Sequence, residues 1–118
     1  METLTFKAFW APDVPELCAE FLREHRKVLE DFGITNVTTN TAAWITDPNT
    51  CVVVAISDKQ GMVGGIRVEI ATEDRQLPIQ EALQKFDPAI HMAMEGLRLS
   101  GNGEVCGLWN ANRYSSKG

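Results

Sequence analysis

Hydrophobic and polar positions divide the chain into extended and helical segments. Leu4 to Trp10 is rich in aromatic and β-branched residues and predicts a first strand, which ends at Ala11-Pro12. From Asp13 onward, apolar side chains recur three and four positions apart, which predicts an amphipathic helix. Asp13 and Glu16 predict a capping box at its start, and Gly33 is the expected stop. The predicted apolar stripe comprises Val14, Leu17, Cys18, Phe21, Val28, Leu29 and Phe32.

The middle of the chain is dominated by extended segments. Asn36 to Thr41 predicts a loop or a frayed strand, and Ala42 to Thr46 predicts the beginning of a strand. Cys51 to Ser57 is an almost continuous apolar run, which is typical of a central strand. Asp58 to Gly61 predicts a hairpin turn, so Met62 to Thr72 is expected to return as the next strand.

The last third predicts helices followed by a strand. Pro78 to Phe86 is expected to form a short helix, and Asp87 with Pro88 predicts a capped helix through about Leu99. Glu104 to Asn110 reads as the final strand. The resulting order is β-α-β-β-α-β, with one or two helices before the last strand. This order favours an α/β or mixed α+β domain.

Composition narrows the class of protein. The chain has 118 residues, of which 44% are hydrophobic and 23% charged, and these values favour one folded domain over a disordered chain. No run approaches the roughly 20 apolar residues of a membrane span, and Met1 to Lys7 lacks the pattern of a secretory signal. A net charge of −5 argues against broad binding to nucleic acid. We therefore expect a cytoplasmic protein that binds neither membranes nor nucleic acid.

The cysteines and histidines argue against a metal site. Cys18, Cys51 and Cys106 are odd in number and widely spaced, and His25 and His91 are the chain's two histidines. A structural zinc site needs clustered ligands, which this spacing does not provide. Reduced thiols in the cytoplasm are the expectation.

The C-terminal end carries the residues that point to chemistry. A predicted strand over Glu104 to Asn110 leads into the polar segment Tyr114 to Gly118. A strand that feeds a loop rich in serine and glycine can direct several backbone N–H groups at one anion such as a pyrophosphate. The same segment is equally compatible with an exposed tail.

Tyr114 to Gly118 resembles the start of the coenzyme-binding turn, Tyr-Arg-Gly-x-Gly-x-Gly, of the GNAT family of acetyl-CoA-dependent N-acetyltransferases. Val63 to Arg67 is similar to a phrase often found in the third strand of that family. The order of predicted elements also resembles the first half of the family's fold, which implies a mainly antiparallel central sheet. The resemblance implies that residues 1–118 form the N-terminal portion of such a domain and end at the coenzyme pyrophosphate loop.

The resemblance implies roles for named residues. Glu104 takes the position at which family members often carry a general base, which must remove a proton from the amine before it attacks the thioester. The implied co-substrate is acetyl-CoA, with an amine of a small molecule or peptide as acceptor and no metal. The implied coenzyme contacts are backbone groups of Leu108, Trp109 and Asn110 for the pantetheine arm, and amides of Ser115, Ser116, Lys117 and Gly118 for the pyrophosphate.

Other interpretations of these residues stay open. Glu104 is also typical of an exposed carboxylate at the start of a strand. Cys106 shares a predicted strand face with Glu104, but without a neighbouring histidine it is expected to be a structural thiol. His91 is expected on a helix surface, and Trp109 is typical of a core. The alternative function is a non-catalytic interaction domain, which forms a homodimer or docks through the exposed edge of its last strand.

Overall fold

The computed structural model describes residues 2–34, 41–72, 77–83, 85 and 87–111, with side chains omitted at 90, 91 and 98–100. These residues form one four-stranded antiparallel sheet of order β1-β2-β3-β4 and three α-helices. The predicted mixed α+β class is therefore confirmed. The strands are β1 (Leu4–Trp10), β2 (Thr50–Ser57), β3 (Gly61–Ile70) and β4 (Gly103–Asn110), and the helices are α1 (Pro15–Asp31), α2 (Pro78–Leu83) and α3 (Pro88–Ser100).

The start of α1 differs from the predicted capping box. Asp13 belongs to a 3-10 turn over Ala11–Asp13, and Val14 takes the N-cap position without a side-chain cap. The Val14 N–H donates to the Ala11 carbonyl at 3.3 Å and closes this 3-10 turn, so the helix begins after Val14 rather than after Asp13. Pro15 then starts the helix with a residue that has no N–H to satisfy.

The end of α1 agrees with the prediction at Gly33 but not at Phe32. Gly33 has a φ of +77°, its N–H donates to the Glu30 carbonyl, and the Ile34 N–H donates to the Leu29 carbonyl. This is a Schellman motif, whose left-handed residue favours glycine. Phe32 is 70% exposed, because the apolar stripe leaves the sheet before the helix ends.

The segment Ala42–Thr46 is a 3-10 helix rather than the predicted strand. The Asp47 N–H donates to the Trp44 carbonyl at 3.1 Å, and the Thr46 hydroxyl donates to the Ala43 carbonyl. The turn buries the Trp44 ring against Phe21 of α1, with ring centroids 5.5 Å apart. Packing of one large aromatic side chain therefore outweighs the local preference for an extended backbone.

One side of the sheet, which we call the helix-covered face, packs against α1. Phe21 is 1% exposed and meets Trp109 edge to face at a centroid distance of 5.8 Å. A Cβ at Gly65 would lie 2.5 Å from the Phe21 ring, so only glycine allows this approach. The strand register places on this face Thr5, Lys7, Phe9, Thr50, Val52, Val54, Ile56, Met62, Gly65, Arg67, Glu69, Glu104, Gly107 and Trp109.

The opposite side, which we call the open face, lies away from α1, the described helix with the most contacts to the strands. The register places Phe6, Ala8, Trp10, Cys51, Val53, Ala55, Gly64, Ile66, Val68, Val105, Leu108 and Asn110 on it. Phe6 is 68% exposed and Leu108 is 72% exposed, at the two edges of the sheet. None of these twelve positions carries a formal charge.

Candidate functional site

A cavity of about 460 Å³ lies on the helix-covered face, where β4 begins. Its walls come from the 3-10 helix Ala42–Thr46 and its C-cap, from β3, from β4 and from the first residue of α2. We call it the acidic cavity, because three carboxylates and one guanidinium line it among the residues that the structure describes. The lining side chains that bear on its chemistry are Trp44, Asp47, Arg67, Glu69, Glu104 and Cys106.

A β-bulge in β4 turns Glu104 toward this cavity. Arg67 pairs with Gly107 and Val68 pairs with Val105, so Cys106 is one extra residue in β4. Strict alternation would put Glu104 and Trp109 on opposite faces, because they are an odd number of positions apart. The bulge restores them to the same face, and Glu104 lies directly opposite Glu69.

The Glu104 carboxylate makes two contacts. Its Oε1 accepts the backbone N–H of Ile79 at 2.8 Å, which satisfies a free donor in the first turn of α2. Its Oε2 accepts the Cys106 thiol at 3.5 Å. An ionised carboxylate has about four acceptor positions, so these two contacts leave room for a proton donor from the cavity.

Arg67 and Glu69 form a buried ion pair on the cavity wall. The Arg67 Nη1 lies 2.6 Å from the Glu69 Oε1, and the two side chains are 12% and 3% exposed. The second arm of the guanidinium donates from Nη2 to the Cys106 carbonyl at 3.3 Å. The Arg67 Cζ also lies 5.1 Å from the centroid of the Trp44 ring, within cation–π range.

The charges around the cavity favour a cationic ligand. Asp47, Glu69 and Glu104 contribute three carboxylates, and Arg67 contributes one positive charge that is already paired with Glu69. Opposite charge at short range stabilises the charged form of an amine. The Trp44 ring supplies an apolar and polarisable surface beside these groups.

Apart from the carboxylates, Cys106 and His25 are the nucleophile and acid–base candidates near the cavity, and both are poorly suited to those roles. Burial, reinforced by the nearby Glu104 carboxylate, raises the pKa of Cys106 to about 12, which disfavours the reactive thiolate. Burial, reinforced by the Arg67 charge, lowers the pKa of His25. The His25 ring stacks on Trp109 with an angle of 8° between their planes.

The three strand residues expected to contact the coenzyme lie in different environments. Leu108 and Asn110 are exposed on the open face, whereas the Trp109 side chain is buried in the core. Backbone contacts of the expected kind need only an available strand edge, and β4 is an edge of the described sheet. The predicted pyrophosphate residues, Ser115, Ser116, Lys117 and Gly118, lie outside the described residues.

Sequence reasoning singled out Glu104 but gave Arg67, Glu69, Trp44 and Asp47 no role in a site. A signal was present in β3, where Arg67 and Glu69 share one face of a predicted strand, and this strand lies inside the described sheet. Charged side chains there must be paired, because burying an isolated charge is costly. His91 belongs to α3, and its side chain lies outside the described part of the chain.

Comparison with known proteins provides no relative from which a role could be transferred. No protein-family model, no curated protein and no solved structure matches the chain. Among the described residues, no group of three or more histidine, cysteine, aspartate or glutamate side chains is placed to hold a metal ion. The described helices are too short or too polar to cross a lipid bilayer.

Proposed function

We propose that this chain is an acyl-CoA-dependent N-acyltransferase of the GNAT type that acylates a cationic amine bound in the acidic cavity. The observation that carries the proposal is the position of Glu104, which lies on the cavity wall at the start of an edge strand. The three cysteines are free thiols, which fits a reducing compartment, and we place the activity in the cytoplasm.

In the proposed reaction, Glu104 accepts a proton from the bound ammonium group, directly or through one water molecule. The neutral amine then attacks the thioester carbonyl carbon of acetyl-CoA, so that a C–N bond forms and the C–S bond breaks. The coenzyme leaves as a thiolate and takes up a proton. The Asp47 carboxylate, which also lines the cavity, favours entry of the cationic acceptor through its charge.

The coenzyme would lie along the free edge of β4. Backbone groups of Leu108, Trp109 and Asn110 would pair with the amides of the pantetheine arm, as an added strand pairs with a sheet edge. Amides of the segment 115–118 would contact the pyrophosphate. β4 has the free edge that the pantetheine contacts need, because it pairs only with β3 among the described strands.

The first experiment is a calorimetric titration of acetyl-CoA into the purified chain, followed by assays of thiol release with a panel of primary amines and polyamines. Glu104→Gln keeps an oxygen that can accept the Ile79 N–H but removes the base. We expect it to lower kcat about a hundredfold or more. Glu81→Gln, on the exposed surface of α2, is the matched control and should retain the wild-type rate. Absence of both coenzyme binding and thiol release in the folded wild type would refute the proposal.

A second candidate is a homodimer that forms through the open face. Each copy carries a net charge of −5, and an uncharged face is the surface on which two such copies repel least. Phe6 and Leu108 supply exposed apolar area at both edges of that face. The occupant on this interpretation is a second copy of the chain.

Sedimentation velocity over a range of protein concentrations tests this candidate. Leu108→Glu should convert a dimer to a monomer, because it places a charge within the interface. Thr5→Glu adds the same charge on the other side of β1 and should leave the dimer intact. A wild-type protein that sediments as a monomer at all concentrations would reject this candidate.

A further inference from the structure

Arg67 joins the acidic cavity to the irregular part of β4. Its guanidinium contacts three partners: the Glu69 carboxylate, the Cys106 carbonyl and the Trp44 ring. Three structural elements therefore meet at one side chain, since these partners belong to β3, β4 and the 3-10 helix Ala42–Thr46. A planar group with several donors suits this arrangement, whereas a single ammonium does not.

The contact with Cys106 occurs at the bulge itself. Cys106 is the residue of β4 that has no partner in the β3 register, and a bulged residue loses part of its ladder hydrogen bonding. The Arg67 Nη2 donates to the carbonyl of that residue at 3.3 Å. The Arg67 side chain therefore supplies the Cys106 carbonyl with a hydrogen bond that the regular ladder between β3 and β4 does not supply.

The bulge decides which way Glu104 points. Without the extra residue, the segment before Gly107 would shift by one position in the register. A shift of one residue exchanges the two faces of a strand, so Glu104 would turn to the open face and Val105 would turn to the cavity. The interaction that stabilises the bulge thus controls the position of the carboxylate.

Arg67 also compensates the charge opposite Glu104. Glu69 is the direct partner of Glu104 in the register, and like charges at such positions are destabilising. The Arg67 Nη1 contacts the Glu69 Oε1, and the Glu69 side chain is more buried than the Arg67 side chain. Neutralisation of Glu69 therefore lets the two carboxylates occupy adjacent strands on one wall of the cavity.

We propose that Arg67 is a positioning residue, which fixes the bulge of β4 through the Cys106 carbonyl and thereby holds Glu104 on the wall of the acidic cavity. As a statement about catalysis this rests on the proposed acyltransferase function. As a statement about the bulge it stands on the contacts of Arg67 alone. The experiment therefore measures the structure of the bulge and the rate of catalysis with separate readouts.

The central variant is the double substitution Arg67→Met with Glu69→Gln. Arg67→Met alone removes the positive charge that Arg67 places beside the buried Glu69 carboxylate and is expected to destabilise the fold strongly, whereas the uncharged pair of similar size keeps the cavity wall filled. Arg67→Lys is the second variant, because it retains the positive charge but lacks the fork that reaches two partners. Lys27→Met with Glu24→Gln likewise removes both charges of an ion pair, here one whose lysine is exposed, and it serves as the control.

The first readout is the nuclear magnetic resonance cross-peak that links the Gly107 amide to the Cys106 carbonyl carbon. Loss of a hydrogen bond to that carbonyl should move its carbon resonance in the double variant and in Arg67→Lys, and leave it in place in the control. An unchanged Cys106 carbonyl resonance in both Arg67 variants overturns the proposal, whether or not the protein transfers acetyl groups.

The second readout is the kinetics of acetyl transfer. A misplaced base should lower kcat about a hundredfold in the double variant. The KM for acetyl-CoA should change by less than about twofold, because the coenzyme edge of β4 lies beyond the bulge. A folded double variant with wild-type kcat overturns the positioning role. A wild-type protein that transfers no acetyl group refutes the proposed function instead, and the carbonyl resonance then decides whether Arg67 fixes the bulge.

Discussion

The helix-covered face and the open face are built from the same four strands, yet they differ in shape and in charge. The helix-covered face has glycines at positions 65 and 107, and the Phe21 ring of α1 fills the space above them. The open face is uncharged and would be equally suitable as a core by hydrophobicity alone. Shape complementarity, rather than apolar content, therefore decides which face α1 covers.

The charged groups of the sheet follow the same division. Arg67, Glu69 and Glu104 lie on the helix-covered face, at the end that the aromatic core does not fill. Burial makes such groups costly unless each has a partner, and the Arg67–Glu69 pair meets that condition. The covered face can thus hold polar chemistry in a fixed geometry, whereas the open face provides apolar area without fixed polar groups.

The largest expected effect comes from removing the aromatic side chain on which the covered face depends. Phe21→Ala should lower the free energy of unfolding by about 4 kcal/mol, because it leaves a cavity beside Trp44 and Trp109. Phe6→Ala makes the same change on the open face and should cost no more than about 0.5 kcal/mol. Urea unfolding at low protein concentration measures both values.

Low concentration is needed because self-association through the open face would add a contribution from Phe6. Similar losses for Phe21→Ala and Phe6→Ala in a monomeric sample would contradict the assignment of a covered and an open face.

A smaller difference in the free energy of unfolding is expected between alanine substitutions at two adjacent glycines. A Cβ at these two positions points to opposite faces of the sheet. Gly65→Ala should cost about 3 kcal/mol, since its Cβ would overlap the Phe21 ring and approach the Trp109 Nε1 to 3.0 Å. Gly64→Ala places a Cβ 3.2 Å from the Trp109 carbonyl oxygen and should cost about 1 kcal/mol. Thermal unfolding of the two variants gives the comparison, and the reverse order of stability would show that α1 does not approach β3 as closely as described.

The sequence predicted the parts of this fold that short-range interactions determine. β1 was predicted with the observed bounds, and the apolar run of β2, the turn before Gly61 and the Asp87 cap of α3 were also predicted. The Asp87 Oδ1 accepts the Ala89 N–H at 3.0 Å, as the cap requires. Each of these features depends on residues within a few positions of one another.

The features that the sequence missed depend on contacts between distant segments. The bulge at Cys106 requires a partner on β3, so alternation along β4 alone cannot reveal it. Alternation nevertheless grouped Glu104 with Cys106 on one face, and the contact between their side chains confirms this. The same alternation also groups Glu104 with Leu108, but beyond the bulge Leu108 lies on the open face. The 3-10 helix at Trp44 was missed for the same reason, because its cause is the packing of Trp44 against α1.

The smallest expected effect concerns the pH dependence of stability, and it arises on the covered face. His25 packs against Phe21 and Trp109, and burial together with the Arg67 charge lowers its pKa below the unfolded value of 6.5. Below pH 6.5 the unfolded chain therefore binds a proton that the native chain does not yet bind, and the free energy of unfolding falls as the pH falls. The loss ends once the pH passes below the native pKa, because both states are then protonated.

Urea unfolding at pH 7.5, 6.5 and 5.5 tests this sign. The wild type should lose more stability between pH 7.5 and 5.5 than His25→Gln, which has no group that titrates at this position. The carboxylates are the same in both proteins, so the difference between the two pH slopes isolates His25. Equal slopes would mean that the imidazole takes up its proton in the native state as readily as in the unfolded chain. Water would then reach His25 on the helix-covered face. At this position the helix-covered face would be no more buried than the open face, and the two would differ only in charge.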